Sequence, residues 1–133
     1  MIKKIENILT SVPEVKLAYL IGSRSKGNAL ENSDVDIVLV TSRDEVKSID
    51  YSHLYGQIQS VLSDELDLRI VSLDSSPLFL SEVIDGELLY VKSEEDRVEF
   101  VRESLLVYYR TQYLRDIFNQ YLDQRIEQET YGQ

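Results

Sequence analysis

An almost uninterrupted apolar run, Val35 to Val40, places the strongest constraint on what this chain can fold into. The run is too short for a typical helix but fits a strand, and only Asp36 interrupts its apolar character. A strand that is apolar at consecutive positions is usually covered on both faces, as in layered α/β proteins. The run therefore predicts a central strand that is buried on both sides of a sheet.

The remaining sequence alternates helical and β-rich patterns around this strand. Apolar residues recur at helical spacing before Pro13, and Pro77 and Ser93 mark two later helix starts. We expect helices at about 2–9, 45–62, 78–84 and 94–121, strands at 15–21, 35–40, 66–71 and 87–91, and a loop at 22–33. This order predicts an α/β (α+β) fold on one small sheet. One domain over 1–122 is expected, followed by a polar tail at 123–133, into which the last helix either continues or breaks.

Composition excludes several classes of function. The chain has no cysteine and a single histidine, His53, which rules out disulfides and histidine-rich or thiolate zinc sites. A net charge of -10 disfavours direct binding of nucleic acid or anionic lipid, and suits either a basic protein partner or a solvated acidic surface. The sequence shows neither a signal peptide nor an apolar run long enough to span a bilayer, so we expect a cytoplasmic protein with no membrane contact.

Two carboxylates stand at the start of the apolar strand. Asp34 and Asp36 are two residues apart, so in a strand both side chains project to the same side. Adjacent carboxylates repel, and a divalent cation relieves the repulsion. Magnesium is the natural choice because it is held by one or two carboxylates plus substrate phosphates. Taken alone, Asp-x-Asp is more often a pair of solvated acids at a strand end.

A glycine-serine pair ends the preceding strand. Gly22 allows a sharp turn and close approach of a ligand, while the backbone N–H groups of such a turn and the Ser23 hydroxyl donate to anions. Arg24 and Lys26 add positive charge at the same place, and the pattern predicts a phosphate site. Gly-Ser alone is usually an ordinary turn. Gly-Ser followed after ten residues by Asp-x-Asp occurs by chance in only about 0.2% of chains this long, which favours the functional interpretation.

Asp67 is the expected third carboxylate. It lies in the apolar strand 66–71, and if this strand is adjacent to 35–40, Asp67 faces the same cleft. There it would ligate a metal ion and accept a proton from an attacking hydroxyl. The alternative is an ion pair with Arg69 on the same face of the strand. Asp64 and Glu65 are nearby competitors in a more loop-like position.

The block from Tyr19 to Asp36 resembles the nucleotidyltransferase superfamily that includes DNA polymerase beta. It is most similar to the minimal nucleotidyltransferase group, the MntA-like antitoxins, and weaker similarity extends over about residues 1–122. The resemblance implies a small mixed sheet flanked by helices. It also implies that Asp34, Asp36 and Asp67 form the metal triad and that Gly22 and Ser23 contact the triphosphate of ATP. Two magnesium ions are expected there, as in two-metal phosphoryl transfer, with the charge of Arg24 beside the phosphates. Arg69 departs from the pattern, in which an apolar or acidic residue is expected.

The same resemblance implies a function and a partner. Such proteins are antitoxins of type VII toxin–antitoxin systems, which transfer AMP from ATP to a tyrosine of a HEPN-domain RNase toxin and form a hetero-oligomer with it. Two alternatives stay open: a nucleotidyltransferase acting on a small molecule such as an aminoglycoside, and a module that binds the toxin without catalysis. Four tyrosines of the final helix, at positions 108, 109, 113 and 121, suggest a docking face. For at least two of them, packing on the sheet is the favoured expectation.

Overall fold

The computed structural model describes residues 2–22 and 34–131, with side-chain surroundings up to Glu127. Four helices and four strands follow the predicted order. They are α1 (Ile2–Thr10), β1 (Leu17–Ile21), β2 (Val35–Val40), α2 (Tyr51–Gln59), β3 (Leu66–Val71), α3 (Pro77–Ile84), β4 (Glu87–Val91) and α4 (Glu94–Tyr131). The predicted α/β class is confirmed, because one sheet and its flanking helices make up this part of the chain.

The four strands form one mixed sheet in the order β3-β2-β1-β4. β1 runs antiparallel to both β2 and β4, whereas β2 and β3 are parallel. Asp36 pairs with Ile21 on one side and with Asp67 on the other. The last residues of β1 and the first residues of β2 and β3 therefore meet at one end of the strands, which we call this edge of the sheet.

Helices cover both faces of the sheet, which explains the apolar run of β2. On one face, alternate residues of the strands pack against α1 and α2 around Ile5, Leu9 and Ile58. On the other face, Tyr19 and Val38 pack against α3 and the first turns of α4, which contribute Val83 and Phe100. Side chains alternate between faces along a strand. Asp36 and Asp67 consequently share the second face with Val38 and lie at its margin.

One predicted helix differs in the structure. The expected helix at 45–62 is wrong over its first part, which contains a short 3₁₀ helix at Val46–Ser48 before α2 begins at Tyr51. Ile49 is extended and buried in the core, and the Asp50 side chain accepts a hydrogen bond from the backbone N–H of His53. The N-cap at Asp50 and the burial of Ile49 together fix a break that helical periodicity does not reveal.

The final helix is a single element of 38 residues that runs on through the segment expected as a tail. Packing of at least two helix tyrosines on the sheet was expected, and this is wrong. Tyr109, Tyr113 and Tyr121 are each more than half exposed, because α4 packs on the body through about its first half and is exposed from Gln112 to Glu127. Although α4 is long, no helix in the described part of the chain is apolar enough over a sufficient length to cross a membrane.

Candidate nucleotidyl-transfer site

Gly22 forms the turn that follows β1. Its φ of +83° lies in the left-handed region, which side chains other than glycine adopt only at a cost. A Cβ built on Gly22 would lie 2.8 Å from Oδ2 of Asp36, closer than real Cβ atoms approach an oxygen. Both the conformation and the proximity of the carboxylate therefore require glycine at this position. Ser23 and Arg24, the other predicted phosphate contacts, lie outside the described residues.

Asp36 and Asp67 are side by side on neighbouring parallel strands. They are direct partners in the β2–β3 register, and both side chains are partly buried. This confirms the prediction that the strand of Asp67 lies beside the strand of Asp36. Asp34 stands two residues earlier, just before β2, and is exposed. The structure thus brings Gly22, Asp36 and Asp67 together, with Asp34 at the solvent side of the same edge.

The carboxylate of Asp36 is electrostatically unfavourable in the absence of a cation. Burial raises its pKa above the ordinary value of 3.8, and hydrogen bonding to Asp67 and repulsion from Asp67 raise it further. The charge of Asp34 acts in the same direction, whereas Arg69 lowers the pKa of Asp36. A carboxylate that is costly to ionise among other carboxylates indicates a position that a bound cation would stabilise.

Arg69 is the nearest described cation to this pair. Its Nη2 lies 3.4 Å from Oδ2 of Asp67, and its guanidinium stacks 5.3 Å from the ring centroid of Phe79 in α3. The ion pair considered as an alternative role for Asp67 is therefore present. Both side chains are more than a third exposed, so the pair is screened and contributes little to stability. The contact leaves Asp67 adjacent to Asp36 and does not remove it from the edge.

Three side chains of α2 hold the outer edge of β3 on either side of Asp67. The hydroxyls of Tyr51 and Tyr55 donate to the carbonyls of Leu68 (2.6 Å) and Leu66 (3.0 Å). Gln59 completes the set: its Oε1 accepts from the N–H of Leu66 at 2.9 Å, and its Nε2 donates to the carbonyl of Asp64 at 2.9 Å. These side chains satisfy backbone groups that a fifth strand would otherwise pair.

The three residues of α2 were not predicted as part of the site. Tyr51, Tyr55 and Gln59 recur every four residues and so form one stripe along the helix. That spacing was visible in the sequence, but its meaning depends on β3 being an edge strand, which the sequence does not state. Because the bonds flank Asp67, they fix the backbone that carries its carboxylate.

A second glycine, Gly86, packs closely against the residues that precede the Gly22 turn. A Cβ on Gly86, between α3 and β4, would lie 2.6 Å from the carbonyl oxygen of Leu20 and 2.9 Å from Cγ2 of Ile21. These residues end β1 immediately before Gly22. The α3–β4 turn thus packs directly against the strand end that carries the candidate phosphate-binding turn.

The donor set at this edge suits a hard divalent cation. Carboxylate oxygens are the ligands that magnesium prefers, and magnesium commonly takes only one or two of them together with substrate phosphates. Among residues 2–22 and 34–127, no three acidic or histidine side chains are already gathered closely enough to hold a metal ion. The pair Asp36 and Asp67 fits such an ion, and its electrostatics favour one.

Residues 3–95 match the family model described as polymerase beta, nucleotidyltransferase. The chain therefore belongs to this family and is an enzyme of the nucleotidyltransferase class, as its site also indicates. Within the family it is similar to the protein adenylyltransferase MntA of Shewanella oneidensis, with 29% identity over 100 residues, which cover 75% of this chain and 71% of the relative. The MntA protein of Aphanizomenon flos-aquae is 26% identical over 110 residues, or 74% of this chain and 72% of the relative. The predicted minimal nucleotidyltransferase relationship is confirmed.

Solved structures agree with this assignment. A chain of a toxin–antitoxin complex crystallised with AMP-PNP superposes with a TM-score of 0.70 at 27% identity, covering 91% of this chain and 97% of the other. A chain of the MntA–HepT toxin–antitoxin complex superposes with a TM-score of 0.63 at 25% identity, covering 91% and 95%. The predicted nucleotidyltransferase fold is confirmed.

Proposed function

We propose that this chain is a toxin-neutralising protein adenylyltransferase, which transfers AMP from ATP to a tyrosine of a HEPN-type RNase toxin and forms a complex with it. The observation that carries the proposal is the convergence of Asp36 and Asp67 beside the Gly22 turn. The names of its relatives support AMP as the group transferred, and the complex crystallised with AMP-PNP supports an adenine nucleotide. The toxin–antitoxin complexes support a protein acceptor.

The proposed roles follow the positions of the residues. Asp34, Asp36 and Asp67 would hold magnesium, and Gly22, Ser23 and Arg24 would contact the triphosphate. When bound, the metal supplies positive charge against the phosphates and the attacking oxygen. Gly22 leaves space for this, because any side chain there would occupy the volume next to the Asp36 carboxylate.

The chemistry is a substitution at the α-phosphorus. The acceptor tyrosine oxygen forms a bond to the α-phosphorus, the bond from that phosphorus to the bridging oxygen breaks, and pyrophosphate leaves. Asp67 lies at the exposed side of the carboxylate pair and would accept the proton of the phenol. Arg69, 3.4 Å away, would favour the ionised form of Asp67 that accepts this proton. Positioning and charge stabilisation account for most of the catalysis in reactions of this type.

Incubation of the chain with magnesium, its cognate HEPN-type RNase and labelled ATP tests the proposal. Label on the α-phosphate should appear on the RNase, whereas label on the γ-phosphate should not, which separates AMP transfer from phosphorylation. Asp36→Asn and Asp67→Asn should each lower the transfer rate by about 100-fold or more, the loss typical of removing one group that stabilises transition-state charge. Asp44→Asn is the matched control, since it makes the same change at an exposed position beyond the opposite end of β2.

The two alternatives give different results in the same experiment. A toxin-binding module without catalysis would neutralise the RNase with no label transferred, and both aspartate variants would neutralise as well as the wild type. An enzyme for small molecules would label an added aminoglycoside and leave the RNase unlabelled. Either pattern would refute protein AMP transfer.

A further inference from the structure

α4 runs towards the end of the sheet that carries Gly22, Asp36 and Asp67. The helix begins at the opposite edge, where Lys16 lies 3.9 Å from Asp96 and the ring of Tyr19 contacts that of Phe100. Further along, Leu105 and Tyr108 line a groove with Asp85, next to the turn that supports the end of β1. The helix therefore leaves the body on the same side as Gly22, Asp36 and Asp67. We call its residues from Tyr109 to Glu127 the arm; at 1.5 Å per residue the arm is about 27 Å long.

The arm exposes a large apolar surface. Every residue from Gln112 to Glu127 is exposed. Eight of the arm's large apolar side chains have between 39% and 66% of their surface exposed: Tyr109, Tyr113, Leu114, Ile117, Phe118, Tyr121, Leu122 and Ile126. At roughly 100 Å² each they present about 800 Å², which is one partner's share of a standard protein–protein interface. Helices in proteins gain most of their stability from packing an apolar face, so a partner that covered this face would stabilise the arm.

The charged residues of the arm are distributed unevenly around the helix. At 100° per residue, the apolar side chains from Tyr109 to Leu122 cover about 220° of the helix circumference. Arg110 and Arg125 project within this sector, and Arg115 lies at its margin. Asp116 and Asp123 lie outside the sector, Glu127 lies at its other margin in line with Tyr109, and Ile126 lies about 40° beyond the sector. The apolar face is thus locally cationic, although the whole chain carries a net charge of -10.

This distribution of charge around the helix argues against a second copy of the chain as the partner that covers the apolar face. Two such faces would bring arginines against arginines, with Asp116 and Asp123 of both helices on the outside. The apolar positions also sustain no long heptad seam. Asp116, Gln120 and Asp123 interrupt the one that starts at Leu106, Tyr109 and Tyr113, and Thr111 and Arg125 flank the short one formed by Leu114, Phe118 and Tyr121. A sector covering more than half of the helix fits a groove that contacts it on several sides.

We propose that the arm inserts into an apolar groove on the acceptor protein, rimmed by carboxylates that pair with Arg110, and that this docking presents the acceptor hydroxyl to the catalytic edge. The inference rests on the proposed function and adds the surface that selects the substrate. The described residues of the site enclose little of an acceptor, since Asp34 and the side chains of Asp67 and Arg69 are open to solvent. Selection through a docked arm makes an enclosing pocket unnecessary.

The test compares two pairs of alanine substitutions on the arm of the full chain. Tyr113→Ala with Ile117→Ala removes the centre of the apolar face, and Gln112→Ala with Asn119→Ala is the matched control on the opposite side. Alanine is the strongest helix former, so both pairs keep the helix. We expect the first pair to raise the Kd of the complex with the cognate HEPN-type RNase, and the KM for that RNase, by about 100-fold or more. The control pair should change both by less than about threefold.

Two further measurements separate docking from catalysis and from folding. Thermal stabilisation by magnesium-ATP should be the same in all arm variants, because the nucleotide site is untouched. Arg110→Glu should weaken the complex by about 10-fold or more and make its affinity less sensitive to salt, whereas Arg102→Glu, the same change on the packed half of α4, should not.

Several outcomes would overturn the inference. They are an unchanged Kd for the Tyr113/Ile117 pair, equal losses for both pairs, and self-association of the chain that only this pair abolishes while capture of the RNase persists. If the arm variants lose the complex but the wild type transfers no label, docking stands and the proposed AMP transfer fails. If transfer occurs and all arm variants perform as the wild type does, the proposed function stands and docking fails.

Discussion

Replacing Gly22 with alanine tests the geometry of the site most directly. The substitution adds one methyl group at a position where φ is +83° and where the new carbon would lie 2.8 Å from Oδ2 of Asp36. The backbone can keep its left-handed conformation only at a cost, and the carboxylate can escape the contact only by rotating away. Stability and activity should both fall, for separable reasons.

The expected loss of stability has two parts. A left-handed conformation costs a residue with a side chain about 1–2 kcal/mol. Forcing Asp36 away from its rotamer adds about 0.5–1.5 kcal/mol. Together they predict a destabilisation of about 1.5–3.5 kcal/mol. A domain of this size loses about 4 °C of Tm per kcal/mol, so Tm should fall by about 6–14 °C.

The activity loss comes from the displaced carboxylate. Misplacing a catalytic group by about 1 Å costs on the order of 100-fold in rate, so AMP transfer should fall by at least that factor at a temperature where the variant is folded. Thermal unfolding and label transfer to the RNase are the two assays. Gly56→Ala is the control: this exposed glycine in α2 has no atom within 4 Å of its added Cβ, so the change should raise stability by about 0.5–1 kcal/mol and leave transfer unaltered.

The reasoning would be refuted by a Gly22→Ala protein that transfers AMP at the wild-type rate, since Asp36 would then tolerate a carbon in the space assigned to ligand. A variant that loses Tm but keeps its rate would confirm the strain and refute the link to the carboxylate. A variant that loses rate at unchanged Tm would refute the strain.

Three further predictions concern stability and the pair of carboxylates. Because the folded-state pKa of Asp36 is raised, this residue favours the folded state below about pH 4 and loses that contribution as pH rises through the folded-state pKa. With a chelator present to remove divalent cations, the Asp36→Asn variant should therefore have a higher Tm than the wild type at pH 7. The difference in Tm should vanish towards pH 3. Equal Tm values at pH 7 would contradict the raised pKa. Tyr55→Phe removes the hydroxyl that donates to Leu66 and should cost about 1 kcal/mol in urea unfolding while weakening magnesium-ATP binding, whereas Tyr90→Phe, in β4, should leave that binding unchanged. Among the described residues Ser104 has a buried Oγ without a hydrogen-bond partner, so Ser104→Ala should stabilise the chain by about 1–2 kcal/mol, and a lower Tm would show that the hydroxyl is satisfied.

The sequence predicted most of the sheet correctly because each strand is marked by its own residues. The bounds of β2, β3 and β4 agree with the apolar runs that predicted them, and the polar or turn-forming residues around these runs supply their limits. The order of the strands was not predictable in this way. The pairing of β4 with β1 joins segments about seventy residues apart, and no local pattern records such a contact.

The site was predicted to a similar extent. Spacing predicted that Asp34 and Asp36 share one side of a strand, whereas β2 begins at Val35 and Asp34 lies just before it. The adjacency of Asp67 to Asp36 followed once β3 was taken as the neighbour of β2. The stripe of α2 and the support from Gly86 were missed, because both act through backbone atoms of other elements. The exposure of the arm tyrosines was misjudged for a related reason: a sequence shows that a helix face is apolar but not whether the fold supplies anything to cover it.

The way α2 seals the margin of β3 has a consequence for how other molecules can attach to the sheet. Hydroxyl and amide groups of α2 already bond the outward carbonyls of Leu66 and Leu68 and the outward N–H of Leu66, so an incoming peptide would have to displace these bonds before it could pair with β3 at this point. Strand addition next to Asp67 is thereby disfavoured. A protein that approaches Asp67 must do so with its side chains, as an acceptor tyrosine would, and not by pairing with the backbone of β3.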